Sequence, residues 1–162
     1  MIMKRVLLII CIVLLAGKVS AQDFASRFLE KHLPDTNLTC VTISPKMMEK
    51  VMNLEVDGEQ GMMEMISKLK SMRMVTTEVN GQKYYNEALK VLEKNSGRFE
   101  PYLSFEDKSE NYQIMIRKKK NAIIELVMLM READNFTVIN FTGNMSQDFI
   151  ARLAKSMEPK NS

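Results

Sequence analysis

The sequence predicts an α+β fold: a two-layer single domain in which helices pack on a mainly antiparallel β-sheet, closed by a C-terminal helix. Three observations carry this expectation. Residues 99–142 change from helical to two-residue periodicity and hold four strand-like runs joined by short links, the arrangement of an antiparallel meander. The stretch before them alternates helical and strand-like segments. The stretch after them places apolar residues at helical spacing only.

Each element has a local reason. Asp23–His32 is a short helix with Phe24, Phe28 and Leu29 on one face, broken by Pro34-Asp35-Thr36-Asn37. Leu38–Ile43 is rich in β-branched residues and reads as a strand. Ser44-Pro45 then starts a helix, with a hydroxyl cap followed by proline at the first helical position, where its missing N–H does no harm. Met47, Met48, Val51 and Met52 form its apolar stripe, Asp57-Gly58 interrupts it, and Met62, Met65, Ile66 and Leu69 mark a second helical segment. Met72–Glu78 is a strand ended by Asn80-Gly81. Tyr84, Tyr85, Ala88, Val91 and Leu92 define the next helix.

The meander follows. Phe99, Leu103 and Phe105 alternate with polar residues, and Pro101, which donates no ladder hydrogen bond, marks an edge strand or a strand entry. Tyr112, Ile114 and Ile116 alternate in the next strand. Residues 122–130 are apolar on both faces apart from Glu125, as in a central strand covered on two sides. Phe136–Thr142 is the last strand. Gly143-Asn144 is expected to open the final helix, with Asn144 as cap, Gln147 completing a capping box, and Phe149, Ile150, Leu153 and Met157 facing inward.

The amino end carries an address. Lys4 and Arg5 precede an uncharged apolar run from Val6 to Ala16, and Val19-Ser20-Ala21 places small residues where a signal peptidase cuts. The run is shorter than the roughly 20 residues that span a bilayer. Residues 1–21 therefore read as a cleaved signal peptide and residues 22–162 as one α+β domain. Cleavage removes Lys4, Arg5 and Lys18, which takes the 23 basic residues to 20, equal to the 20 acidic ones. The precursor's net charge of +3 thus belongs to the leader. A neutral exported domain has no field to attract nucleic acid, and no integral membrane segment remains after cleavage.

Candidate chemistry is sparse. His32 is the only histidine, and of the 2 cysteines Cys40 alone survives cleavage, so most metal-ligand sets cannot be built. A Cys40–His32 dyad is formally available, but cysteine within a strand more often packs as a small hydrophobe. No H-E-x-x-H, G-x-S-x-G or phosphate-loop motif occurs. No catalytic, cofactor-binding or metal-binding residue is assigned, and no cofactor is expected. Two surfaces remain as candidates. The chain has 15 methionines, and Met47, Met48, Met52, Met62 and Met65 could line an apolar groove, although core filling is the simpler role. Arg117, Lys118, Lys119 and Lys120 form the one dense basic run, a solvated hairpin tip or a contact for an anionic surface. Four Asn-x-Ser/Thr triplets occur, several of them inside expected strands where no glycan would fit.

The layout resembles a family of small exported proteins of Bacteroidota known only as a domain of unknown function. The likeness rests on the Phe24–Phe28 helix, on Val41-Thr-Ile-Ser-Pro-Lys-Met-Met48, and on the ending from Val138 through Gly143 and Phe149 to Leu153. The resemblance implies a cell-envelope setting and no established activity. Together with the missing catalytic motifs, it leads to an expectation of a non-enzymatic envelope protein. It would lie in the periplasm, at the outer membrane or outside the cell, binding an envelope protein or surface ligand. A small envelope hydrolase or isomerase, and a regulatory partner of a sigma/anti-sigma system, are the alternatives.

Overall fold

Asp23 acts as a helix cap: its carboxylate accepts the Ser26 N–H at 2.8 Å, at the head of α1 (Phe24–Lys31). The computed structural model describes residues 23–32, 35–44, 46–47, 50, 60–95 and 98–157. After α1 come β1 (Thr39–Ile43), α2 (Gln60–Ser67), β2 (Leu69–Thr77), α3 (Gly81–Lys94) and β3 (Glu100–Glu106). Then follow β4 (Glu110–Lys119), β5 (Ala122–Glu132), β6 (Asn135–Met145) and α4 (Gln147–Met157).

The strands form one six-stranded sheet in the order β1-β2-β6-β5-β4-β3, and every pairing is antiparallel. This is the expected α+β architecture: the last four strands are the meander in chain order, and β2 joins its open side against β6. Two-residue loops close the last hairpins. Lys120 and Asn121, both at positive φ (50° and 68°), turn β4 into β5. Pro101 lies on an edge strand, as its missing N–H requires, and β3 is bulged beside it.

Side-chain alternation sends residues to two cores. On one face, Phe24 and Phe28 of α1 and Tyr84, Ala88 and Val91 of α3 pack on Val75, Val127, Leu129, Phe136 and Val138. On the other, Ile66 of α2 and Phe149 and Ile150 of α4 pack on Ile114, Leu126, Met128 and Phe141. The Phe141 and Phe149 rings meet edge to face at 5.8 Å. Each buried Val, Leu, Ile, Phe or Met among them contributes about 1.5–3 kcal/mol of transfer free energy. The sheet therefore carries helices on both faces, one helical layer more than the sequence pattern suggested. Strand β5 shows why it is apolar throughout: Val127 and Leu129 face one core, Leu126 and Met128 the other.

Three local expectations shift. Strand β2 begins at Leu69, which pairs with Gly143 and does not extend the preceding helix. Gly143 lies inside β6 and does not open α4. The helix cap is Ser146, whose hydroxyl accepts the Phe149 N–H at 3.1 Å, and Asn144 is still in the strand. Gly143 is required by its own geometry: its φ is +138°, and a Cβ there would stand 2.6 Å from the Lys70 amide nitrogen. The expected cap at Ser44 is present, accepting the Met47 N–H at 3.3 Å. Pro45, Met48, Val51, Met52 and the Asp57-Gly58 break lie outside the described residues. Among the described residues no helix is long and apolar enough to cross a membrane.

Candidate functional site

The amino terminus of α1 is seated on the sheet by two buried polar side chains. Glu125, 1% exposed, accepts the Phe24 N–H at 2.8 Å, and Asn140, fully buried, accepts the Ala25 N–H at 2.9 Å. Asn140 Nδ2 also donates to Glu125 Oε2 at 3.0 Å, which fixes the amide's orientation. With Asp23 taking Ser26, the first-turn donors that a helix leaves open are satisfied. The Asn140-Phe141-Thr142 triplet cannot carry a glycan on so buried an asparagine. Charge is balanced locally as well. Arg117 Nε donates to Glu125 Oε1 at 2.9 Å, and Arg73 lies 3.2 Å from Asp23 Oδ1. Arg98 nearby is lowered from its ordinary pKa by burial, then by the neighbouring Arg27 and Arg117.

At this end of the sheet three neighbouring strands lose regular register together. Lys70 is the extra residue of β2, between the Leu69–Gly143 and Ser71–Thr142 pairs. Ile124 is the extra residue of β5, between its Ile123–Lys118 and Glu125–Arg117 pairs with β4. Across from Ile124, Gly143 and Asn144 are skipped in the pairing of β5 with β6. A bulge bends its strand and re-aims a side chain, and bulges concentrate beside functional sites. Here the skipped residues converge. Lys70, Ile124, Gly143 and Asn144, with Asp23, Arg117, Lys119 and Thr142, line an open pocket of about 450 Å3.

The basic run is thereby divided. Arg117 and Lys119 turn into the pocket, Lys118 pairs with Glu100 at 3.5 Å, and Lys120 sits at the hairpin tip. Lys70 joins the pocket from a strand that no sequence pattern associates with that run. Its position depends on the pairing of β2 with β6, a non-local fact. The lone acid in the apolar β5 run was the one available signal for Glu125.

A second pocket, of about 430 Å3, lies between α1 and β1 and includes His32, Asp35, Cys40 and Arg73 in its lining. The fold thus brings Cys40 and His32 to one cavity, but both ring nitrogens of His32 already face acceptors. Nδ1 is 2.8 Å from the Phe28 carbonyl, and Nε2 meets the Glu87 carboxylate. Asp35 accepts the Tyr84 hydroxyl, which lowers the carboxyl pKa, helped by the Asn37 N–H. Cys40 is exposed on an edge strand, not packed in a core. Arg131, buried, is spent on Asn111 and on the Lys108 and Ala133 carbonyls. Among the described residues, every buried side-chain nitrogen and oxygen has a partner.

The methionine groove is only partly in view. Met47 is 59% exposed, and Met65 is half-buried against the α4-side core with the Ser146 hydroxyl 3.5 Å from its sulfur. Met48 and Met52 lie outside the described residues, and Met62 falls within α2.

Fold and site together define a small α+β domain: an all-antiparallel six-stranded sheet with a cationic pocket built on register breaks. Residues 34–153 match the family model described as domain of unknown function DUF4252, and the chain belongs to that family. Comparison with curated proteins gives no match. The matched span contains Lys70, Arg117, Lys119, Glu125, Asn140 and Gly143, while α1 precedes it.

Proposed function

We propose that this protein is an exported cell-envelope protein that acts by binding and not by catalysis. The observation that carries the binding half is how its polar side chains are used. Glu125, Arg131, His32 and Asp35 are each tied to partners that hold the fold, while the bulge-lined pocket presents Lys70 and Lys119, and the one acid in its lining, Asp23, is taken up by the Ser26 N–H and Arg73. General acid–base catalysis needs a titratable group free to exchange a proton with substrate. A pocket of ammonium groups and strand backbone is suited to holding a ligand. The export half is supported by the basic head, apolar run and small residues ending at Ala21. The partner on this reading is an envelope protein or surface ligand.

The test is cell fractionation of the full chain with a carboxyl-terminal tag, with the amino terminus read by mass spectrometry. The expected form begins at Gln22 and sediments with envelope material. An untrimmed chain in the cytosol overturns the export half. Turnover of any substrate that is abolished by one substitution in either pocket overturns the binding half.

A further inference from the structure

We infer that the bulge-lined pocket binds a phosphate monoester through Lys70 and Lys119, with Arg117 as the fixed third cation. This deepens the binding reading above and rests on it. Three independent features of the pocket converge on that chemistry.

The first is charge balance. Asp23 is offset by Arg73 at 3.2 Å, and Arg117 by Glu125 at 2.9 Å. Among the described residues neither Lys70 nor Lys119 has an ion-pair partner, so the pocket keeps two uncompensated ammonium groups. A carboxylate would balance one of them. A phosphate monoester, at about −1.5 to −2 at pH 7, balances both.

The second is preorganisation. Nε spends one of the five N–H donors of Arg117 on a carboxylate that is itself held by the Phe24 N–H and by Asn140. The guanidinium therefore waits in place, and little side-chain entropy is lost when an oxyanion arrives. The Lys70 backbone is placed at the pocket by the bulge that Gly143 makes possible, since any side chain at Gly143 would collide with it.

The third is room. A pocket of about 450 Å3 equals roughly fifteen waters at about 30 Å3 each. It admits the carrier of the phosphate as well as the phosphate, and Ile124 gives that carrier an apolar wall. The phosphate could belong to a soluble sugar or polyol phosphate, or to a lipid headgroup.

The experiment uses the mature chain with two probes: glycerol 3-phosphate by titration calorimetry, and phosphatidylcholine vesicles with and without phosphatidic acid by co-sedimentation. Saturable binding of glycerol 3-phosphate that weakens as salt rises supports the inference and favours a soluble source. Binding confined to phosphatidic acid vesicles supports it with a headgroup source. In either case the Lys70→Gln/Lys119→Gln variant, which loses two charge-assisted contacts, should lose about tenfold in affinity, with an unchanged melting temperature, while Lys118→Gln/Lys120→Gln should bind as wild type. Binding of neither probe overturns the inference. So does equal loss in the two double variants, which would mean general charge attraction, or equal binding of glucuronate, which would mean no preference for the dianion. Failure of the phosphate probes while the mature chain still sediments with envelope material removes this inference alone and leaves the binding reading standing.

Discussion

Arg117 reaches back to Glu125 on the adjacent strand at 2.9 Å, and the same carboxylate holds the first peptide N–H of α1, at Phe24, at 2.8 Å. One buried acid thus does two things: it seats a helix on the sheet and fixes a cation at the pocket wall. Removing it leaves the buried Phe24 N–H without its acceptor, while Arg117, which opens onto the pocket, keeps access to solvent. Glu125→Ala should therefore cost about 1–3 kcal/mol of folding stability, read as a shift in the urea midpoint. Glu125→Gln keeps an acceptor for the Phe24 N–H and should cost less. Equal stability of Glu125→Ala and wild type would show that the carboxylate does not anchor α1.

Gly143 should tolerate no side chain. A non-glycine residue at its φ of +138° is strained by about 1–3 kcal/mol, and the Cβ of Gly143→Ala would also press on the Lys70 amide at 2.6 Å. The expected result is a loss of stability above that range together with a rearranged β2 bulge, visible as amide shift changes around Leu69–Ser71. Ser146→Ala, a few residues on, removes only a helix cap and should cost about 1 kcal/mol. A variant Gly143→Ala as stable as Ser146→Ala would contradict the close approach.

The Tyr84–Asp35 bond gives stability a dependence on pH at both ends. The Tyr84 hydroxyl, and then the Asn37 N–H, lower the Asp35 pKa. That contribution is complete above the ordinary aspartate range near about 3.9 and is lost as pH falls through the lowered value. Tyr84 is raised, first by Asp35 and then by its own burial. Its contribution is present below about pH 10 and is lost as pH rises through the raised value. Tyr84→Phe removes both. The stability gap between wild type and variant should be widest near neutrality and narrow at each extreme, as measured by urea unfolding across the pH range. A gap of constant size would exclude the bond as its source.

Cys40 should behave as an accessible thiol. It should react with a thiol reagent in the folded state, and Cys40→Ser should change stability by less than about 0.5 kcal/mol, as expected for an exposed site. Reaction only after unfolding would place the thiol in a core.

What the sequence made legible and what it hid divide along one physical line. The meander was readable because its period is local: Ile114, Leu126–Leu129 and Phe136–Val138 carry their own alternation or double-sided apolarity. Pro101 narrowed its strand to an edge or an entry for the same reason, since one residue's missing donor limits it, and the structure places it on the edge. The second helical layer was not readable, because a half-buried face on Ile66 or Phe149 does not say which side of a sheet it meets. The pocket was hidden further. Lys70, Ile124 and Asn144 are ordinary residues within their own strands, and only cross-strand register turns them into neighbours. The basic run was visible, but its split into Arg117 and Lys119 inward, Lys118 toward Glu100 and Lys120 at the tip depends on a bulge that no window of sequence displays.

The seating of α1 also sets an order of events. Its acceptors on Glu125 and Asn140 are 101 and 115 positions downstream of the donors they satisfy. A helix of 8 residues is too short to persist alone in water. The Asp23 cap is local, but the Phe24 and Ala25 N–H groups find their acceptors only once β5 and β6 are in place, and a chain cut before Glu125 leaves both without them. Seating α1 is thus a contact of long sequence separation, and contacts of such long loop span form slowly.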